Sequence, residues 1–144
     1  MSWSNNEKVL VEELNKLALF EDNPLVVEGK SYAAFDAISD KYVCEFKKRN
    51  FESDHKYAIE GLIIEKLKYD SLIKKSKFYN KEALYINKFT DDKIVIWNLS
   101  EMTKFNFDFN WHMKRMNKRT FQSKFDKTEK EISLLKPKDG KIYA

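Results

Sequence analysis

The chain has 144 residues, 42% hydrophobic and 15% aromatic, with a formal net charge of +4. That size and apolar content suit one domain, residues 1–144, with a packed core, and they exclude global disorder. One cysteine, Cys44, excludes an internal disulfide and a multi-cysteine zinc site. No apolar run is long enough to span a bilayer, and the first residues lack the charged and apolar regions of a signal peptide. An intracellular, cytoplasmic protein without membrane contact is therefore expected. The basic balance, with a pI of about 9.0, permits an acidic partner without identifying one.

Asn5 or Asn6 can cap a first helix over residues 5–20, where Leu10, Leu14 and Leu17 recur at helical spacing and Glu13 falls on or beside the buried stripe. After Glu21-Asp22-Asn23-Pro24 the period changes. Val26, Val27 and residues 32–38 read as strand, Ser39-Asp40-Lys41 as a tight turn, and residues 42–48 as the second arm of a hairpin. A longer helix is expected over residues 55–75, capped by Ser53 or Asp54, with Ile59, Leu62, Ile63, Leu67 and Ile73 as its apolar positions. Residues 83–89 and 93–99 read as strands joined by Thr90-Asp91-Asp92. Residues 105–116 and 130–135 read as further strands with a polar stretch between them. The result is a mixed α/β (α+β) domain with one central mixed sheet flanked by helices.

The stretch FDAISDKYVCEFKKR, residues 35–49, carries charge where a half-buried strand is expected. Side chains alternate across a strand, so Glu45 and Lys47 share a face with Val43, and Asp36 shares one with Ala34 and Ile38. If the two runs pair, Asp36 can lie near Glu45. Adjacent carboxylates repel and raise each other's proton affinity, and a divalent cation removes the conflict. Mg²⁺ suits such a pair, because one or two carboxylates plus a substrate phosphate commonly hold it. Lys47 is then placed to assist an attacking water or offset phosphate charge, and Glu13 to serve as a further acid. The plainer reading is a solvated face or a protected sheet edge. The context favours a site: an acid on the preceding helix, acids on a hairpin, and a long amphipathic helix directly after.

This arrangement resembles the PD-(D/E)xK nuclease superfamily, with its restriction-endonuclease-like core. The matching residues are Asp36 for the first acid, Glu45 and Lys47 in Glu-Phe-Lys, and Glu13 for the helix glutamate. Phe35 stands where a proline can precede the first acid. The element order α-β-β-β-α-β-β plus C-terminal strands fits over roughly residues 5–99. The resemblance implies a metal-dependent phosphodiester hydrolase using Mg²⁺ or Mn²⁺, an endonuclease or exonuclease with DNA as the usual partner. Inactive relatives and members acting on RNA also exist, so the alternative is an inactive nucleic-acid- or protein-binding module on the same fold. A third reading is a small structural or assembly protein whose charges only solvate it.

Trp111 to Lys127 interleaves aromatics with Lys114, Arg115, Lys118, Arg119 and Lys124, a composition that suits phosphate contact and base stacking. Lys68 can approach a phosphate, whereas Glu65 reads as half of a surface ion pair. His55 and His112 have no partner pattern and read as structural or surface residues. Cutting both strands of a duplex calls for two active sites, so a homodimer is a reasonable expectation. The small size and Lys- and Asn-rich composition suit a phage or mobile element.

Overall fold

In the computed structural model, which describes residues 4–28, 35–117 and 127–144, the sheet is registered on one serine. Ser39 Oγ accepts from the amides of Lys41 (3.3 Å) and Tyr42 (3.1 Å) and donates to Asn23 Oδ1 at 2.6 Å. This turn joins β2 (Ala37–Ile38) to β3 (Tyr42–Lys48), pairing Ala37 with Cys44 and Ile38 with Val43. The turn and β3 stand as expected. Of the strand expected over 32–38, residues 32–34 lie outside the described residues, Phe35 and Asp36 form a bend, and Ala37–Ile38 is strand. β1 (Val26–Val27) pairs with β2 on the outer side.

β3 runs parallel to β5 (Glu82–Lys88), β5 antiparallel to β6 (Ile94–Asn98), and β6 antiparallel to β9 (Lys141–Tyr143). The six-stranded sheet therefore has the order β1-β2-β3-β5-β6-β9. A parallel pair needs a long crossover and cover on both faces, and β3 has both. Cys44 and Phe46 pack with Leu10, Leu14, Leu84 and Ile86 on one face, while Val43 packs with Leu72, Tyr85 and Trp97 on the other.

The helix α1 (Ser4–Leu14) covers the first face and ends earlier than the expected residue 20. Asn15 stops it: its side-chain amide accepts from Leu25 N at 2.7 Å and donates to Leu25 O at 3.1 Å. This exchange turns the chain into a short 3-10 segment at Ala18–Phe20.

The largest departure lies in the expected helix over 55–75. It is divided into α2 (Lys56–Glu60), a strand β4 (Leu62–Glu65) and α3 (Lys66–Tyr79). His55, rather than Ser53 or Asp54, caps α2 by accepting from Tyr57 N at 3.1 Å; Ser53 Oγ instead bonds Asp91. Gly61, at φ 130°, breaks the helix. Leu62, Ile63 and Ile64 then form an extended, apolar run that pairs antiparallel with β8 (Lys127–Leu135), which in turn pairs with β7 (His112–Asn117). A second, three-stranded sheet β4-β8-β7 thus lies beside the first, where one sheet was expected. The short helix α4 (Leu99–Lys104), capped by Asn98, was not expected, and residues 105–111 of the strand expected over 105–116 are irregular, so that β7 is all that forms of it. No helix among the described residues is long and apolar enough to cross a membrane.

A Cβ at Gly61 would sit 2.6 Å from Leu134 Cβ on a backbone that L residues rarely adopt. Gly61→Ala is expected to destabilise the fold by roughly 2–4 kcal/mol, read from denaturant unfolding. An unchanged midpoint would contradict the close approach of β4 and β8.

Candidate active site

The hairpin register puts Asp36 one step beyond the Ala37–Cys44 pair, and so beside Glu45. Asp36 N donates to Cys44 O at 2.8 Å, and Asp36 Oδ2 accepts from Phe46 N, also at 2.8 Å. The carboxylate takes over a ladder amide that β2 does not reach, which fixes its position at the end of that strand. Glu45, in the middle of β3, is only 6% exposed. The two acids meet in a cleft of about 330 Å³ lined also by Glu7, Leu10, Phe46, Lys47 and Lys48. Lys47 follows Glu45 on the same face of β3 and is exposed, so an apolar core anchors the acid while the lysine reaches solvent.

Burial is the main cause of the unusual acidity here. It pushes Glu45 up to about 7; the Asp36 charge adds to the rise, and Lys68 and Lys47 oppose it. Asp36 is also raised by burial, against the Phe46 amide, Lys68 and Lys47. Glu7 is pushed up to about 7 by burial and by Asp36. Lys68, from the first turn of α3, places Nζ 3.6 Å from Glu45 Oε2. All three carboxyl groups are thus held above the ordinary carboxylate range, first by burial and, for Glu45 and Glu7, second by the charge of Asp36.

Glu13 stands apart from this cleft. It forms an ion pair with Lys88, which also lies 3.8 Å from Asp92. Glu7 is the α1 acid that reaches the hairpin. The sequence carried a signal for it: Glu7, Leu10 and Leu14 fall at helical steps of three and four, on one stripe. Arg49 is a second residue the pattern offered, continuing the alternation Val43, Glu45, Lys47. Its Nε donates to Asn87 Oδ1 at 2.6 Å, and its Nη2 to Ile63 O and Tyr85 Oη at 3.1 Å each. Arg49 thereby ties β3 to β5 and to β4 just past the acid pair.

The remaining candidates are distributed elsewhere. Glu65 ends β4 instead of sharing a helix side with Lys68, and it pairs with Lys130 at 3.3 Å. Lys114 and Arg115 are exposed on β7, opposite Lys130 and Glu129. Lys118, Arg119 and Lys124 lie outside the described residues. His112 is exposed, with Nδ1 2.8 Å from Asn110 O.

Carboxylate oxygens are the donors that Mg²⁺ and Mn²⁺ favour, and a cation beside a pair with raised proton affinity offsets the charge that burial penalises. Asp36 and Glu45 fit that ion. Among the described residues no three His, Cys, Asp or Glu side chains group closely enough to hold an ion by themselves. Water fills the remaining positions around an ion held by such a pair, and a substrate phosphate can replace some of it.

No protein-family model matches the sequence, and no curated protein does. The structure is similar to that of Hjc, a Holliday junction resolvase from the archaeal hyperthermophile Archaeoglobus fulgidus. The TM-score is 0.51 at 10% sequence identity, over 90% of this chain and 84% of the resolvase. This likeness bears on the fold: the chain has the expected restriction-endonuclease-like architecture, a central mixed sheet flanked by helices.

Proposed function

We propose that the chain is a metal-dependent nuclease, a phosphodiester hydrolase acting on DNA. The observation that carries this reading is the meeting of Asp36 and Glu45 in one cleft with Lys47, on a nuclease fold. Asp36 and Glu45 would hold Mg²⁺ or Mn²⁺. When bound, the ion supplies charge for the phosphate under attack and lowers the pKa of water. Lys47, next along the strand face, orients the attacking water or balances charge building on the phosphate oxygens. Glu7 takes the helix position first assigned to Glu13 and accepts a proton or hydrogen bond from water at the cleft rim. Lys114 and Arg115, with Lys118, Arg119 and Lys124 further along the chain, supply phosphate contacts that place the substrate. The resolvase likeness makes a branched duplex the first substrate to try, and a homodimer would supply two cuts.

Metal binding tests the site before any substrate is known. Mn²⁺ is expected to raise the thermal midpoint of the wild type by several degrees at millimolar concentration, and Asp36→Asn to remove that shift. If both proteins ignore Mn²⁺ and Mg²⁺, the acids hold no ion by themselves, and a binding module working through the basic β7 region becomes the better account.

A further inference from the structure

Lys68 has no role fixed by the chemistry above, yet it is the basic side chain that touches the acid pair from another element. It stands in the first turn of α3, and Leu72, one turn on, is fully buried against the core and fixes the helix. Its side chain is 41% exposed, while its carboxylate partner is nearly enclosed. The contact is loose. The Nζ–Oε2 separation of 3.6 Å compares with 2.8 Å for Lys66–Asp70 on the same turn and 3.3 Å for Lys130–Glu65. An ammonium is a point charge on a flexible four-carbon stem, and at this distance its hydrogen bond to Glu45 is at best weak.

We infer that Lys68 is a built-in stand-in for the cation: it balances Glu45 in the metal-free protein and turns to a substrate phosphate when a divalent ion takes its place. This rests on the metal-site reading above and goes one step further. A cation beside Glu45 meets a like charge within a few ångströms, so the two compete for one carboxylate. The ammonium can leave at little cost, because its stem already reaches solvent. Once released from Glu45, the ammonium is free in solvent on the α3 side of the acid pair, one lysine stem's length from an ion held there and from a phosphate bound to that ion. Metal and nucleic acid then help each other through one side chain, and the coupling is reciprocal.

Two other roles for Lys68 predict different signs. A permanent clamp that holds Glu45 in place would lower metal affinity when removed. A solvated surface lysine would leave it unchanged. The stand-in predicts a gain at pH 8 and above, where protons compete least for the carboxylate: Lys68→Gln binds Mn²⁺ roughly five- to thirty-fold more tightly than wild type, while Lys68→Arg, which keeps the charge, stays near wild type. Isothermal titration with Mn²⁺ alone reads this without any turnover.

The second half is read from the salt dependence of binding to a cleavage-resistant phosphorothioate duplex. With Mn²⁺ present, Lys68→Gln is expected to lower the slope of log affinity against log salt by about 0.9, one phosphate contact. Without Mn²⁺ the slope should not change. Equal or weaker Mn²⁺ binding by Lys68→Gln overturns the inference, and an unchanged slope with Mn²⁺ overturns its phosphate half. A wild type that binds no Mn²⁺ overturns the metal-site reading itself, which the wild-type titration alone reveals.

Discussion

Asp36→Asn is expected to lower DNA cleavage by at least roughly 10²–10³-fold while leaving the protein folded. The asparagine Oδ1 can still accept from the Phe46 amide, so the end of β2 keeps its anchor. What is lost is the negative charge that the proposed ion needs. Lys47→Ala should fall by a similar factor, with an even smaller structural cost, because the side chain is exposed and the strand is held by Val43, Cys44 and Phe46. The measurement is a single-turnover assay with Mn²⁺ on branched, duplex and single-stranded DNA, alongside thermal unfolding of each variant. A folded Asp36→Asn protein that cuts at the wild-type rate would end the assignment. Glu13→Gln should retain most activity and Glu7→Gln should not, since only Glu7 lines the cleft.

Glu45→Gln is expected to stabilise the metal-free protein at pH 8, by roughly 1–3 kcal/mol. The folded-state value of about 7 lies above the ordinary 4.5, with burial the largest cause and Asp36 the second. Between those two pH values the folded state holds more protons than the unfolded one. Stability therefore falls as pH rises through this window, and the whole penalty is present above it. A glutamine has the same shape and no charge to desolvate. The wild type should thus lose stability from pH 5 to pH 8 in a metal-free buffer, and the variant should lose less. Denaturant unfolding at the two pH values measures both. If Glu45→Gln is the less stable protein at pH 8, the Lys68 contact outweighs burial. Saturating Mn²⁺ should reverse the order at pH 8, because only the wild type can use it.

The hairpin was legible because its signals are local. The alternation from Tyr42 to Lys48, the turn residues 39–41 and the strands near 83–89 and 93–99 depend on neighbours in sequence. The Asp36–Glu45 meeting followed from alternation and register alone. β4 was not legible in the same way. Leu62-Ile63-Ile64 satisfies a helical stripe as well as a strand, and the arbiter is β8, some seventy residues along the chain. Gly61 was the one local sign of the break. The choice between Glu7 and Glu13 was likewise tertiary: both lie on or near the stripe of α1, and only the way that helix crosses the sheet decides which one reaches β2. The strand β9 is three residues long and pairs far back with β6, leaving little periodicity to read.

The parallel pairing of β3 with β5 has a consequence for the order in which the chain assembles. Asp36 and Glu45 are nine residues apart across a tight turn, a loop that closes cheaply and early. β3 and β5 join residues forty apart, from Tyr42–Glu82 to Lys48–Lys88, and that closure is slow for its entropy. The intervening crossover carries α3, and so Lys68. If closure follows that order, the two acids would come together in water, where both can stay ionised and a cation can reach them freely. Only the later closure brings the sheet and α3 over them and makes their charge expensive. A divalent ion captured at the hairpin stage would speed the last step by removing that expense, and the same ion would then be slow to leave.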